Sequence, residues 1–171
     1  MHALIVASLS PTAELLDNGV LTWSLTACGF AQLSKLLIEL VMYRRWRPAV
    51  LIETGGMPSS HSALVTGTAA GVGWQSGFND PLFALAAAVA FVVMYDASGI
   101  RRAAGFTAAR VNALPDRTWE EIPVKPLKET LGHSRLEVFV GSLMGPVIAL
   151  PGLAWVGSPV ELAHRMGQAI G

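Results

Sequence analysis

Charge is what this sequence has least of. Lys, Arg, Asp and Glu make up only 14% of its 171 residues, against about 25% in soluble domains. Hydrophobic residues reach 52% and the mean hydropathy is +0.48, so the deficit points to a membrane as the solvent. The twelve basic and twelve acidic residues cancel, which excludes a global basic field for nucleic acid. Cysteine is nearly absent too. Cys28 stands alone, so no internal disulfide can form, and a lone cysteine in an apolar run behaves as a small hydrophobe. The stretch Met1 to Ser10 is apolar but lacks the basic n-region of a signal peptide, and it reads as a lead-in to the first helix. No repeat or low-complexity tract is evident.

Four apolar blocks are present. The first runs from about Val20 to Tyr43 and contains Gln32, Lys35 and Glu39. The second, Ala63 to Trp74, is rich in Gly, Ala, Ser and Thr, as closely packed membrane helices often are. The third starts at Asp80-Pro81, a capping residue followed by proline at the first helical position, and continues uncharged to Tyr95. The fourth, Leu136 to Val156, is expected to break at Gly145-Pro146 and Pro151-Gly152. A bilayer core of about 30 Å needs roughly 20 helical residues. Blocks one, three and four approach that length; block two is short, so it is tilted or partly re-entrant. A further short helix is expected over Ala103 to Leu114, with Pro115, Pro123 and Pro126 keeping the following segment irregular. Arg44, Arg45 and Arg47 follow block one, and Arg101, Arg102, Arg110, Arg117, Lys125, Lys128 and Arg135 lie between blocks three and four. The turn Gln75 to Pro81 has no Lys or Arg. The positive-inside rule therefore puts both basic loops in the cytoplasm and both termini outside.

Three groups of residues can carry chemistry. In Gly55-Gly56-Met57-Pro58-Ser59-Ser60-His61, two glycines free the backbone and Ser59 or Ser60 can cap a helix starting near His61. Such a helix end is an anion site, and His61 there is placed to protonate a leaving oxygen; the plain alternative is a capped helix beside an interfacial histidine. His133 and Glu137 are four apart and would share one helix face. The carboxylate can hold one imidazole nitrogen and leave the other free as a nucleophile, although a metal pair or a surface ion pair has the same spacing. The third group is cationic and includes Lys35, Arg47, Arg101, Arg102 and Lys128. Lys35 sits inside an apolar block, where ionisable residues usually face a site or a partner; it can also snorkel and pair with Glu39. Asp96 can orient Arg101 or Arg102, end its helix, or hold a divalent cation.

Taken in order, Lys35, Arg47-Pro48, Pro58-Ser59-Ser60-His61 and His133-x-x-x-Glu137 resemble the type-two phosphatidic acid phosphatase superfamily, related to vanadium-dependent haloperoxidases. Asp-x-x-Gly-x-Arg at Asp96 and Leu-Lys-Glu-x-Leu-Gly-His at Leu127 look like its divergent membrane branch, known mostly from bacteria and plastids. The resemblance spans roughly Gln32 to Gly145. It departs from the family pattern in four places. Ser60 replaces a glycine and Glu137 an aspartate, the Lys35 to Arg47 gap is long, and no Ser-Arg pair stands at the usual place before His133.

The resemblance implies an all-α integral membrane bundle, with about four membrane helices plus a short interfacial helix, forming one phosphatase-like domain over residues 1–171. It implies hydrolysis of a lipid phosphate monoester or diphosphate through a phosphohistidine. His133 would be the nucleophile, Glu137 its orienting group and His61 the general acid, with Lys35, Arg47, Ser60, Arg101, Arg102 and Lys128 on the phosphate oxygens. Neither a metal nor another cofactor is implied. The expected partners are a phospholipid or polyprenyl phosphate substrate and the membrane, in a bacterial inner membrane or a plastid-type membrane. The alternative is a non-enzymatic assembly factor, or an anionic-lipid binding protein with a degenerate site.

Overall fold

The computed structural model describes residues 10–53, 55–114 and 125–170. The lead-in Met1 to Leu9, Arg117, Pro115 and Pro123 lie outside the described residues. Every regular element among the described residues is helical: α1 (Pro11–Leu16), α2 (Gly19–Met42), α3 (Ser60–Ser76), α4 (Pro81–Ser98), α5 (Ile100–Asn112), α6 (Arg135–Pro151) and α7 (Pro159–Ile170). The stretches Gly19–Met42, Pro81–Asn112 and Arg135–Gln168 are long and apolar enough to cross a membrane. The shorter α3 is the element on which α2, α4 and α6 all pack.

Small residues explain why α3 can be central. Gly67 on α3 and Gly145 on α6 meet where the two backbones touch. A Cβ on Gly145 would run into the Thr66 hydroxyl, the Ala63 carbonyl and the Gly67 amide. Close approach of this kind provides the van der Waals contact that holds helices together in lipid, where no hydrophobic force acts between them. The buried stripe of α2 follows helical spacing through Val20, Ser24, Ala27, Ala31 and Lys35. The first four are small or β-branched packing residues; the fifth is an ammonium.

Local signals set the helix ends. The Ser59 Oγ accepts from the Ser62 amide at 3.3 Å, and the Asp80 Oδ1 accepts from the Leu82 amide at 2.7 Å with proline at the first position of α4. One boundary differs from expectation. Helix α6 runs through Gly145-Pro146 and continues as a π-turn over Gly152–Val156. The amide that proline lacks is tolerated inside a membrane helix whose neighbours and side chains re-satisfy the backbone, and Gly145 is held against α3.

Candidate active site

Both histidine-bearing segments meet at one end of the bundle. The chain enters α3 through Gly55 and Gly56, which adopt φ of 103° and 79°. The Ser59 amide then donates to the Glu137 carbonyl at 3.0 Å, fixing the start of α3 against the first turn of α6. The segment leading to His133 is tied to α5. Asn112 exchanges hydrogen bonds with the Leu127 backbone at 2.9 Å and donates to Glu129 Oε1 at 2.8 Å. The His133 amide donates to the Ala97 carbonyl of α4 at 2.9 Å. Gly132, at φ 77°, has no room for a Cβ because the Arg102 backbone abuts it.

His133 is not on the helix with Glu137, as the four-residue spacing suggested. It precedes the cap of α6, and the pairing comes from a capping box. The Ser134 Oγ accepts from the Glu137 amide at 3.2 Å, and Glu137 Oε2 accepts from the Ser134 amide at 3.0 Å. The same Oε2 lies 3.1 Å from His133 Nδ1. A carboxylate already fixed by the backbone thus holds the imidazole through Nδ1, the arrangement that favours a proton on that nitrogen. The signal for this was present as Ser-x-x-Glu. Burial pushes the His133 imidazole below the usual histidine range. The Glu137 hydrogen bond and charge act against that shift, and Lys35 adds to it.

His133 is 5% exposed and, with Gly55 and Gly132, lines two adjoining chambers. One, of about 170 Å³, is lined by His61, Val92, Val93, Asp96 and Arg101. There the His61 ring faces the His133 ring at a centroid separation of 6.5 Å and an interplanar angle of 60°. The other, of about 460 Å³, includes Arg47, Arg102, Glu39, Glu53, Glu129 and Glu137.

The remaining candidates are placed as follows. Lys35 is 3% exposed, its stem runs beside Gly56, and among the described residues it has no hydrogen-bond or ion-pair partner, Glu39 included. It stands within electrostatic reach of Glu137 and both histidines. Ser60 is buried, its hydroxyl against the Cys28 thiol, and it lines neither chamber. Arg47 forms a two-pronged pair with Glu53 at 2.8 and 2.7 Å, an interaction that the spacing did not suggest and that the turn Pro48–Leu51 creates. Arg101 pairs with Asp96. Arg102 lies 5.4 Å from the Phe106 ring centroid. Lys128 is exposed and outside both chambers. Among the described residues no group of three or more His, Cys, Asp or Glu is arranged to hold a metal.

These elements define an all-helical integral membrane protein with a histidine pair at one end of its bundle. The chain belongs to the Divergent PAP2 family, whose model matches residues 16–148, a span that contains every candidate residue. It is 40% identical over 150 residues to the uncharacterized membrane protein YuiD of Bacillus subtilis (strain 168), covering 80% of this chain and 95% of that protein. No solved structure matches.

Proposed function

We propose that the protein hydrolyses a phosphate monoester or diphosphate of a lipid at the cytoplasmic face of its membrane. The observation that carries this reading is a carboxylate-held His133 facing His61 at 6.5 Å across a small chamber with an arginine on its wall. Both rings line the one chamber, as a nucleophile and an acid acting on one phosphoryl group must. His133 Nε2 attacks phosphorus, the bond to the lipid oxygen breaks with its electron pair, and His61 protonates that oxygen. Water then attacks the phosphohistidine, giving its proton to His61, and the N–P electron pair returns to His133. Glu137 stabilises the imidazolium-like state. Arg101 on the chamber wall and Lys35 nearby supply positive charge for the equatorial oxygens, the main need in phosphoryl transfer; Arg102 and Arg47, which line the other chamber, belong to this role by family resemblance. Ser60 and Lys128 belong to this role by family resemblance rather than by position.

Orientation follows from charge. Arg44, Arg45, Arg47, Arg101, Arg102, Lys125, Lys128 and Arg135 all fall at the histidine end, which the positive-inside rule assigns to the cytoplasm. A cysteine at position 45 in a Cys28→Ala background should be labelled only after the membrane is opened; labelling of intact cells would reverse the assignment.

A second reading is favoured by the pairing of Arg47 with Glu53 and of Arg101 with Asp96, which leaves fewer free cations. In it the chain is a non-enzymatic assembly factor, or holds an anionic lipid headgroup without turnover. Phosphate release from phosphatidate, phosphatidylglycerol phosphate and polyprenyl diphosphate in detergent, with His133→Ala as control, separates the two. Release by the parent alone supports hydrolysis. Stable lipid capture with no release supports the binding protein.

A further inference from the structure

We infer that the hydrocarbon chain of the substrate lies in a groove between α2 and α4, with α3 as its floor; this rests on the lipid-phosphate reading above and adds the site for the rest of the molecule. Helices α2 and α4 both pack on α3 but scarcely touch each other. The gap they leave is about 670 Å³, larger than either chamber. Its walls are Leu21 and Leu25 on one side and Leu85 and Val89 on the other, over a floor of Val65 and Thr68. The flanking helices both lie in stretches able to span a membrane, so the mouth of the groove faces hydrocarbon and its occupant is apolar.

Continuity with the histidine chamber identifies that occupant. The chamber is lined by His61 on α3 and by Val92 and Val93 on α4. The groove begins one turn further along the same helices, at Leu64, Val65 and Val89, positions that share a face with the chamber residues. A phosphate between the two histidines would therefore direct its leaving oxygen past His61 into the groove. The far end is polar, at Asn18, Gln75 and Ser76, which marks the opposite interface. From His61 to Gln75 the floor runs about 21 Å at the α-helical rise, most of a hydrocarbon core of about 30 Å. The groove accordingly suits one long extended chain parallel to α3, and leaves any second chain in the bilayer.

The test uses the full chain in nanodiscs. A hexadecyl phosphate carrying a diazirine at the end of its chain is photolysed with the His133→Ala protein, with hexadecyl phosphate or hexadecanol as competitor. The expected crosslinks fall in the far half of the groove, near Leu21 and Val72, and hexadecyl phosphate displaces them at least about tenfold better than hexadecanol. Crosslinks spread equally over the lipid-facing Phe91, Leu143 and Val147 would overturn the groove and leave the catalytic reading intact. Crosslinks confined to the groove but displaced equally by hexadecanol would overturn the phosphate end of the proposal and count against the catalytic reading.

In the otherwise unmodified protein, Thr68→Trp fills the floor and Leu85→Trp crowds the exposed rim, where a folding defect is not expected. Each should cut turnover of hexadecyl phosphate about tenfold, the effect of losing contact with a few methylenes, and leave that of an aryl phosphate unchanged. Equal losses on both substrates, or no loss on either, overturn the proposal. So does a parent dimer that Leu85→Trp dissociates, since the groove would then be an interface between copies.

Discussion

Two segments of this chain carry the same four-residue device. Ser134-Arg-Leu-Glu137 opens α6 at the histidine end, and Ser158-Pro-Val-Glu161 opens α7 at the other. In both, the serine hydroxyl accepts from the glutamate amide, at 3.2 and 3.1 Å, and the glutamate Oε2 accepts from the serine amide at 3.0 Å. What differs is the neighbourhood. Gly157 precedes the second box, at φ 82°, and Ser158 donates to Asp17, which ties α1 to α7. His133 precedes the first box, and the glutamate that closes the cap also holds its imidazole. The capping box is a structural device in both places. At α6 the residue just before the cap is a buried imidazole held by the capping glutamate, at a point where the chain is also bound to α4 and α3.

The largest expected contrast is between His133→Ala and Gly157→Ala. The first should abolish phosphate release, because it removes the atom that bonds to phosphorus. The second should leave release at the parental rate per folded molecule, even though the strained backbone lowers stability. Activity retained by His133→Ala would end the nucleophile assignment. Next in size is His61→Ala, for which a loss of about 10²–10⁴-fold is expected on an alkyl phosphate, the usual contribution of a general acid. That loss should shrink on an aryl phosphate, whose leaving group needs little protonation. A defect independent of leaving-group pKa would assign His61 to another role.

Glu137→Gln and Glu161→Gln test whether the two boxes differ electrostatically. The folded-state pKa of His133 is lowered from its ordinary 6.5, first by burial. Its unfolded form therefore takes up a proton first as pH falls, and the stability that the neutral ring contributes is fully present above 6.5 and lost below it, down to the folded-state value. The acid limb of kcat/KM, which needs neutral His133, should likewise lie below the ordinary histidine range. Glu137 opposes the shift most strongly, with the Gly56 backbone beside it, so Glu137→Gln should slow turnover and move that limb to still lower pH. Glu161→Gln should move neither, and an unmoved limb in Glu137→Gln would count against His133 as the titrating group. The smallest effects belong to the caps. Ser134→Ala and Ser158→Ala should each cost about 0.5–2 kcal/mol of stability, read as a lower unfolding midpoint in detergent, and only Ser134→Ala should also reduce turnover.

Much of the frame was legible from residue order. The Asp80-Pro81 start, a short helix expected over Ala103 to Leu114 and found at Ile100–Asn112, and a cap expected from Ser59 or Ser60 and found at Ser59 follow from rules that act over three or four residues. The break expected at Pro146 was misread because the rule that places it assumes an isolated helix. Within the bundle, α6 stays helical through Pro146, where Gly145 packs against α3. Spacing also suggested a shared helix face for His133 and Glu137; the contact exists, but through a loop and a capping box.

The sequence by itself determined the solvent and the helical class, because hydropathy and capping are local properties. Only the tertiary structure decided which cations share a chamber with which histidine. Arg101 stands with His61, Arg102 and Arg47 line the other chamber, Lys128 is in neither, and Lys35 is buried at the end of the packing stripe of α2. The physical reason is that these residues are far apart in the chain. Their distances are set by backbone contact between α3 and α6 and by the tie of the His133 segment to α4 and α5, and no spacing along the sequence encodes either.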